Sequence, residues 1–376
     1  MLSLAFIGLG GAGGNVAEEA KRYGYHVGAI NYSQRDLDSL EGIDPTFKLR
    51  ILGTEGVGHN RDLAIELFTQ HHALVIDFIN KNFQTNDIIA IPFACGGGSG
   101  SGLAPIICDV LKSSYPDKTI IAMPILPDLS ESTISQLNTL YVFEELSNLD
   151  VAVLPIDNQQ QKAQFSSIGK DKLYTETNQK AVYLLHKLFS YTEQHSKNGN
   201  FDKRDFMTLF NNKGMTHITE INLSSEKSEG ENVTHDSISK KINNSLCNGV
   251  FIPPQKEQII NGALIFEGNE RLLSLINPES VFSYYDNDVI DLFEGNYSGK
   301  NNNLIIAASG LSWCKERLSK IEDMAEKKKE VIEKAFSNEN QQTYQSRTSV
   351  SGFMSKIRQP KKKANSISDV LSKYKR

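Results

Sequence analysis

Short apolar runs alternate with helix-period stretches along the first part of the chain. Residues 2–8, 26–31, 87–93, 119–124 and 151–156 are almost continuously apolar, the pattern of strands buried on both faces. Between them, residues 14–23, 62–83, 103–113 and 132–149 carry apolar positions at helical spacing. This alternation predicts an α/β fold: a Rossmann-like parallel sheet with helices on both faces. Such sheets bind ligands at the carboxyl ends of their strands.

After Ile156 the pattern changes. Residues 174–194 form one long helical stretch with Ala181, Leu184, Leu185 and Leu188 on one face, and Gly199 and Asn200 are expected to stop it. A second helix is predicted near Asp202. Strands at 215–223, 262–266 and 303–308 and a helix around 279–292 then suggest a smaller α+β domain. The polar stretch 224–237 reads as a loop. Residues 312–336 predict a long charged helix with apolar Trp313, Leu318, Ile321, Met324, Ile332 and Phe336. Residues 337–376 are polar and basic, with Arg347, Lys356, Arg358, Lys361, Lys362, Lys363, Lys373, Lys375 and Arg376 against only Glu339 and Asp369. The expected division is a nucleotide-binding domain (1–173), a central helix (174–199), a second domain (200–311), a C-terminal helix (312–336) and a flexible basic tail (337–376).

Composition narrows the class. The chain has 376 residues, is 39% hydrophobic and carries a formal charge of −5, which excludes a disordered protein and favours no particular partner. Cys95, Cys108, Cys247 and Cys314 have neither metal-ligand nor disulfide-framework spacing, so no metal site is predicted. The N-terminus lacks the basic start of a signal peptide, and no apolar run reaches the roughly 18 residues of a membrane span. A cytoplasmic protein with no membrane partner is expected.

Candidate chemistry sits in two glycine loops. Gly8, Gly10, Gly11, Gly13, Gly14 and Asn15 lie between a predicted strand and helix. Glycines there allow close approach to a phosphate, with the helix N-terminus offering free N–H groups. Gly8, Gly10 and Gly13 also have dinucleotide spacing, so a NAD-dependent oxidoreductase is a competing reading. Two observations oppose it. The second strand ends in Asn31-Tyr32-Ser33 without the acid a NAD ribose needs. A second, richer loop follows: Gly96, Gly97, Gly98, Ser99, Gly100, Ser101, Gly102. Consecutive backbone N–H groups there can wrap an anion, and two such loops suit a polyphosphate. No Walker-type loop occurs.

The Gly96–Gly102 segment resembles the signature loop of the tubulin/FtsZ family, with Ser99 in place of Thr. Further segments resemble the family's loops in order. Gly10, Gly11 and Asn15 fall in the first, Asn31 in the second, Gly58 and Asn60 in the third, Glu131 on the ribose side, and Asp157 and Asn158 in the sixth. Tyr174 and Asn178, four residues apart on one helix face, resemble the ring that stacks on guanine and the amide that pairs with it. Asn200-Phe-Asp202-Lys-Arg-Asp205 resembles the loop whose acids, here Asp202 and Asp205, enter the next subunit's site and position the attacking water. A helix N-cap with an acidic first turn would use the same two residues.

The resemblance implies a GTPase that binds GTP and GDP with Mg²⁺, polymerises head-to-tail with itself, and is activated by polymerisation. A long helix followed by a basic tail, without the acidic-apolar end of division-type FtsZ, is most like TubZ, a plasmid- and phage-borne relative that segregates DNA. That implies a DNA-binding adaptor of the TubR type bound by the tail, and hence an indirect link to DNA. The alternative is a phage-type filament that positions DNA or virions.

Overall fold

The computed structural model describes residues 2–165, 169–197, 199–223 and 235–337. The first half runs β1 (Leu4–Leu9), α1 (Gly10–Lys21), β2 (His26–Asn31), α2 (Gln34–Asp38), β3 (Lys48–Arg50), α3 (Arg61–Phe83) and β4 (Ile88–Ala94). It continues through α4 (Gly98–Ser114), β5 (Thr119–Leu126), α5 (Thr133–Ser147), β6 (Ala152–Val153), β7 (Ile156–Asp157) and α6 (Asn158–Gln164). Next come α7 (Lys170–Ser190), a 3-10 turn (Tyr191–Glu193), α8 (Lys203–Phe210), β8 (Gly214–Asn222) and α9 (His235–Cys247). The chain closes with β9 (Asn261–Gly268), α10 (Glu270–Leu273), α11 (Pro278–Phe282), β10 (Asp291–Ser298), β11 (Asn303–Leu311) and α12 (Lys315–Ser337).

All the strands join one sheet of order β10-β9-β11-β8-β6-β5-β4-β1-β2-β3, with β7 beside β5. β3 to β6 through β1 is the doubly wound order 3-2-1-4-5-6, whose direction of travel reverses between β1 and β4. Pairing is parallel from β3 across to β8; β11 runs antiparallel to both β8 and β9. Alternate residues of β1 feed opposite cores, as a pleated strand requires. Leu4 and Phe6 pack with Val16, Ala17 and Leu185 of α1 and α7. Ala5, Ile7 and Leu9 pack on the other face with Phe68, Leu103 and Ile107 of α3 and α4.

Several expectations are corrected. The helix expected around 279–292 is the short α11, followed by strand β10, where Phe293, Gly295 and Tyr297 alternate toward the core. Residue spacing of two there defeats a helical period. The central helix begins at Lys170 and ends at Ser190, with the 3-10 turn extending to Glu193 rather than to residue 199. The polar stretch 224–237 ends in helix from His235, while 224–234 lie outside the described residues. So do residues 338–376, and with them the basic tail. No helix among the described residues is long and apolar enough to cross a membrane.

Candidate functional site

The two glycine loops follow β1 and β4, the strands that flank the reversal in sheet order, and they touch. A Cβ on Gly10, which has φ +73°, would lie 3.3 Å from both Gly100 N and the Ser99 Cβ. The third loop closes against the same place: Gly98 N donates to Gly58 O at 2.8 Å. Gly58 has φ +56° and nothing within 4 Å of its Cβ position, so the turn there needs glycine for its backbone alone. Asn138 of α5 ties the set together, its Nδ2 donating to His59 O at 3.0 Å and Gly96 O at 3.2 Å. The Ser101 hydroxyl braces the loop from inside, donating to Gly97 O and, at 3.2 Å, to Gly98 O.

Helix capping sets the candidate loops apart. A side chain accepts the first free N–H groups of α2, α3, α5, α6, α8, α10 and α11. α1, α4 and α7 start without one. An uncapped helix start leaves N–H donors and a positive dipole end directed outward. Two of these three starts are the glycine loops themselves. The third opens the helix that carries Tyr174 and Asn178.

The other residues singled out by sequence divide into outward-facing and internally engaged groups. Asn15 is exposed on α1. Asn31 is buried and spends its amide internally, accepting from Tyr32 N and Ser33 N and donating to Asp36 Oδ2 at 3.0 Å. Asp36 is thereby brought over the first loop, with its carboxylate 3.3 Å from the Cβ position of Gly11. Asn60 caps α3 by accepting from Leu63 N. Glu131 accepts from Asp128 N at 3.3 Å. Asp157, 4% exposed, caps α6 and is held by Arg317 at 3.0 and 3.2 Å, so its oxygens are already engaged. Asn158 beside it is buried.

Tyr174 and Asn178 are half-buried on α7. Lys170 Nζ lies 5.6 Å from the Tyr174 ring centroid. Burial raises the Tyr174 pKa, and the negative charges of Glu131 and Asp128 add to the effect. The ribose-side loop therefore faces the start of α7. Lys162 reaches the same loop, donating to Asp128 Oδ1 at 3.1 Å and Ser130 Oγ at 3.0 Å.

Asp202 and Asp205 are elsewhere. They form a reciprocal capping box at the start of α8: Asp202 Oδ1 accepts from Arg204 N and Asp205 N, and Asp205 Oδ2 accepts from Asp202 N at 2.9 Å. The simple capping role is thus physically present. Asp202 is exposed and Asp205 half-buried. Burial pushes the Asp205 pKa up, and the charges of Asp202 and Asp291 add to that. At 1.5 Å per residue, Tyr174 and Ser190 are about 24 Å apart along α7. Phe201 N is fixed beyond that far end by the Tyr297 hydroxyl, which also reaches Tyr191 O. The acids therefore lie far from their own subunit's glycine loops.

Sequence reading missed Asp36, Asn138, Lys162, Lys170 and Arg317. A polar Asn138 within the buried stripe of α5, beside Ser135, Thr139 and Val142, was a usable signal. Arg317 gave none, since its partner is 160 positions away.

Comparison with known proteins fits this geometry. Residues 3–164 match the model of the Tubulin/FtsZ family, GTPase domain. Residues 3–164 are thus similar to the tubulin/FtsZ GTPase domain. The chain is 25% identical over 354 residues to the tubulin-like protein CetZ of Pyrococcus abyssi, covering 87% of this chain and 94% of that protein. It is 26% identical over 175 residues to the tubulin-like protein TubZ of Clostridium botulinum C phage, covering 45% of this chain and 48% of that one. Its fold is that of a GTPγS-form protofilament of Bacillus thuringiensis serovar israelensis TubZ, with TM-score 0.76, 16% identity, and coverage of 90% of this chain and 94% of that chain. Similarity to TubZ and to CetZ is comparable, and the dinucleotide oxidoreductase reading finds no support.

Proposed function

We propose that this chain is a tubulin/FtsZ relative that binds GTP across its glycine loops and hydrolyses it where two copies meet head to tail. One observation carries the reading. The uncapped, mutually touching phosphate loops and the paired acids sit at opposite ends of α7, so neither end is a complete hydrolytic site. A second copy, stacked in the same orientation, supplies what is missing. Such a contact is heterologous and does not close, which generates a filament; the TubZ relative of matching fold is itself described as a protofilament.

Each group then has a task. The N–H groups of the Gly10 and Gly96–Gly97 turns hold phosphate oxygens. Tyr174 stacks on the base, and Asn178 offers donor and acceptor to its edge. Glu131 faces the sugar. Asp202 and Asp205 of the incoming copy orient the attacking water. Burial raises the pKa of Asp205, which suits it to accept a proton from that water. Among the described residues no group of three or more His, Cys, Asp and Glu side chains is placed to hold a metal. Mg²⁺ would neutralise charge in phosphoryl transfer, and Asp36, whose carboxylate lies beside Gly11, is the residue that would help to hold it.

Asp202→Ala and Asp205→Ala are expected to lose phosphate release while retaining GTP binding and GTP-dependent light scattering. Loss of the cap costs each about 1 kcal/mol of stability. Sustained turnover in both variants excludes the split site.

The finer role is segregation of plasmid or phage DNA through an adaptor held by the basic tail. It rests on the residue content of 337–376 and on similarity to TubZ. Deleting residues 337–376 is expected to abolish capture of an adaptor–DNA complex and spare GTP turnover; undiminished capture rules the docking role out.

A further inference from the structure

Arg317 enters from the first turn of α12 and is only 8% exposed. Its Nε donates to Asp157 Oδ2 at 3.0 Å, and its Nη2 donates to Asp157 Oδ1 at 3.2 Å and Pro127 O at 2.6 Å. One guanidinium thus joins the residue after β5, the junction of β7 and α6, and the start of α12. Its own base is fixed as well. Trp313 packs edge-on to Phe143 of α5 with ring centroids 6.2 Å apart, and Cys314 N lies 3.1 Å from Met215 Sδ.

The clamp continues into the ribose-side loop. Asp157 caps α6 by accepting from Gln159 N at 3.0 Å, and Gln159 Oε1 accepts from Leu129 N at 2.9 Å. Lys162 of α6 holds Asp128 and Ser130. Moving Asp157 therefore moves α6 and residues 127–131 together. A buried ion pair is a poor choice for stability alone, because packed apolar side chains of similar volume do as well. This one also leaves Arg317 Nη1 buried with no partner among the described residues. What it supplies instead is direction: planar, two-pronged bonding that fixes orientation.

We propose that Arg317 is a positioning residue for the nucleotide site: by clamping Asp157 and the Pro127 carbonyl it sets loop 127–131 and α6, and with them affinity for the sugar and base of a purine nucleotide. The proposal rests on the glycine loops being a nucleotide site. It makes the seating of α12 a determinant of how the nucleoside end is gripped, while the hydrogen bonds of Arg317 go to Asp157 and Pro127 and to no residue of the phosphate loops after β1 and β4.

Calorimetric titration of the full-length chain with GDP, and separately with inorganic tripolyphosphate, tests it alongside thermal unfolding of the same samples. The variants are Arg317→Gln, Asp157→Asn and the double. Each single variant leaves a buried group without its partner and lowers Tm; the double removes both charges and regains much of the loss. GDP affinity is expected to fall at least tenfold in all three, the double included, with tripolyphosphate affinity changing less than twofold. A double variant that regains Tm and binds GDP like the wild type overturns the positioning role. Equal losses for GDP and tripolyphosphate overturn it too, as a general loosening. A wild-type chain that binds neither overturns the site reading and the clamp together, whereas wild-type binding with unaffected variants overturns the clamp alone.

Discussion

Glycines around the site divide into two kinds that look identical in sequence. Gly13 serves packing: a Cβ there would fall 2.1 Å from Pro92 O, so α1 lies directly on β4 because nothing projects between them. Gly97 has nothing within 4 Å of its Cβ position and is half-buried at the start of α4, so its side is open to the ligand proposed for that loop. Gly13→Ala is therefore expected to destabilise the fold by several degrees in Tm or to prevent folding. Gly97→Ala is expected to unfold within about 2 °C of the wild type, since unstrained surface changes cost little, yet bind GTP at least tenfold more weakly. Wild-type affinity in Gly97→Ala would remove that loop from the site. At this scale the sequence showed where chemistry could sit, because glycine runs and strand ends are local signals. It did not show which side chains were already engaged. Asn31 and Asp157 read as ligands, but one braces its own turn and the other is bound by Arg317, a partner visible only once the chain is folded.

Elements were legible where the period was strong and local. β2 matches its expected limits, and α3 and β4 differ by a residue at each altered end. α4 begins inside the glycine run, at Gly98. Propensity argues against helix there, but contact with the third loop and with Ala64 and Arg61 of α3 decides the conformation. β10 was hidden because Gly295 occupies a core-facing position and breaks the apolar alternation. β8 carries an element-scale consequence. His217 is 1% exposed, its Nδ1 is 3.0 Å from Ile252 O, and burial pushes its pKa down from 6.5 to about 4. Its folded pKa lies below its unfolded value, so the unfolded chain takes up the proton first as pH falls. The stability contributed by neutral His217 is present above pH 6.5 and is lost between 6.5 and 4, by up to about 3 kcal/mol. Urea unfolding of the wild type and His217→Gln across that range should show the wild type losing more stability. Parallel pH profiles would contradict the assignment.

For the whole molecule, the single sheet running from β3 to β10 was not foreseen as continuous. Alternating strands and helices announced the doubly wound half, whereas the pairing of β6 with β8 joins segments about 60 positions apart and has no local signature. The same distance hides the logic proposed for the site: α7 separates glycine loops from acids, and in the split-site proposal a second copy brings them together. The central claim is therefore about concentration. Phosphate release and 90° light scattering, followed together across protein concentration with GTP, GDP or ATP in Mg²⁺ buffer, test it most directly. The split site predicts scattering that rises with GTP alone and turnover per subunit that appears only above a threshold concentration. Turnover per subunit that is constant down to concentrations with no scattering would mean that one chain holds a complete site, and would contradict the account.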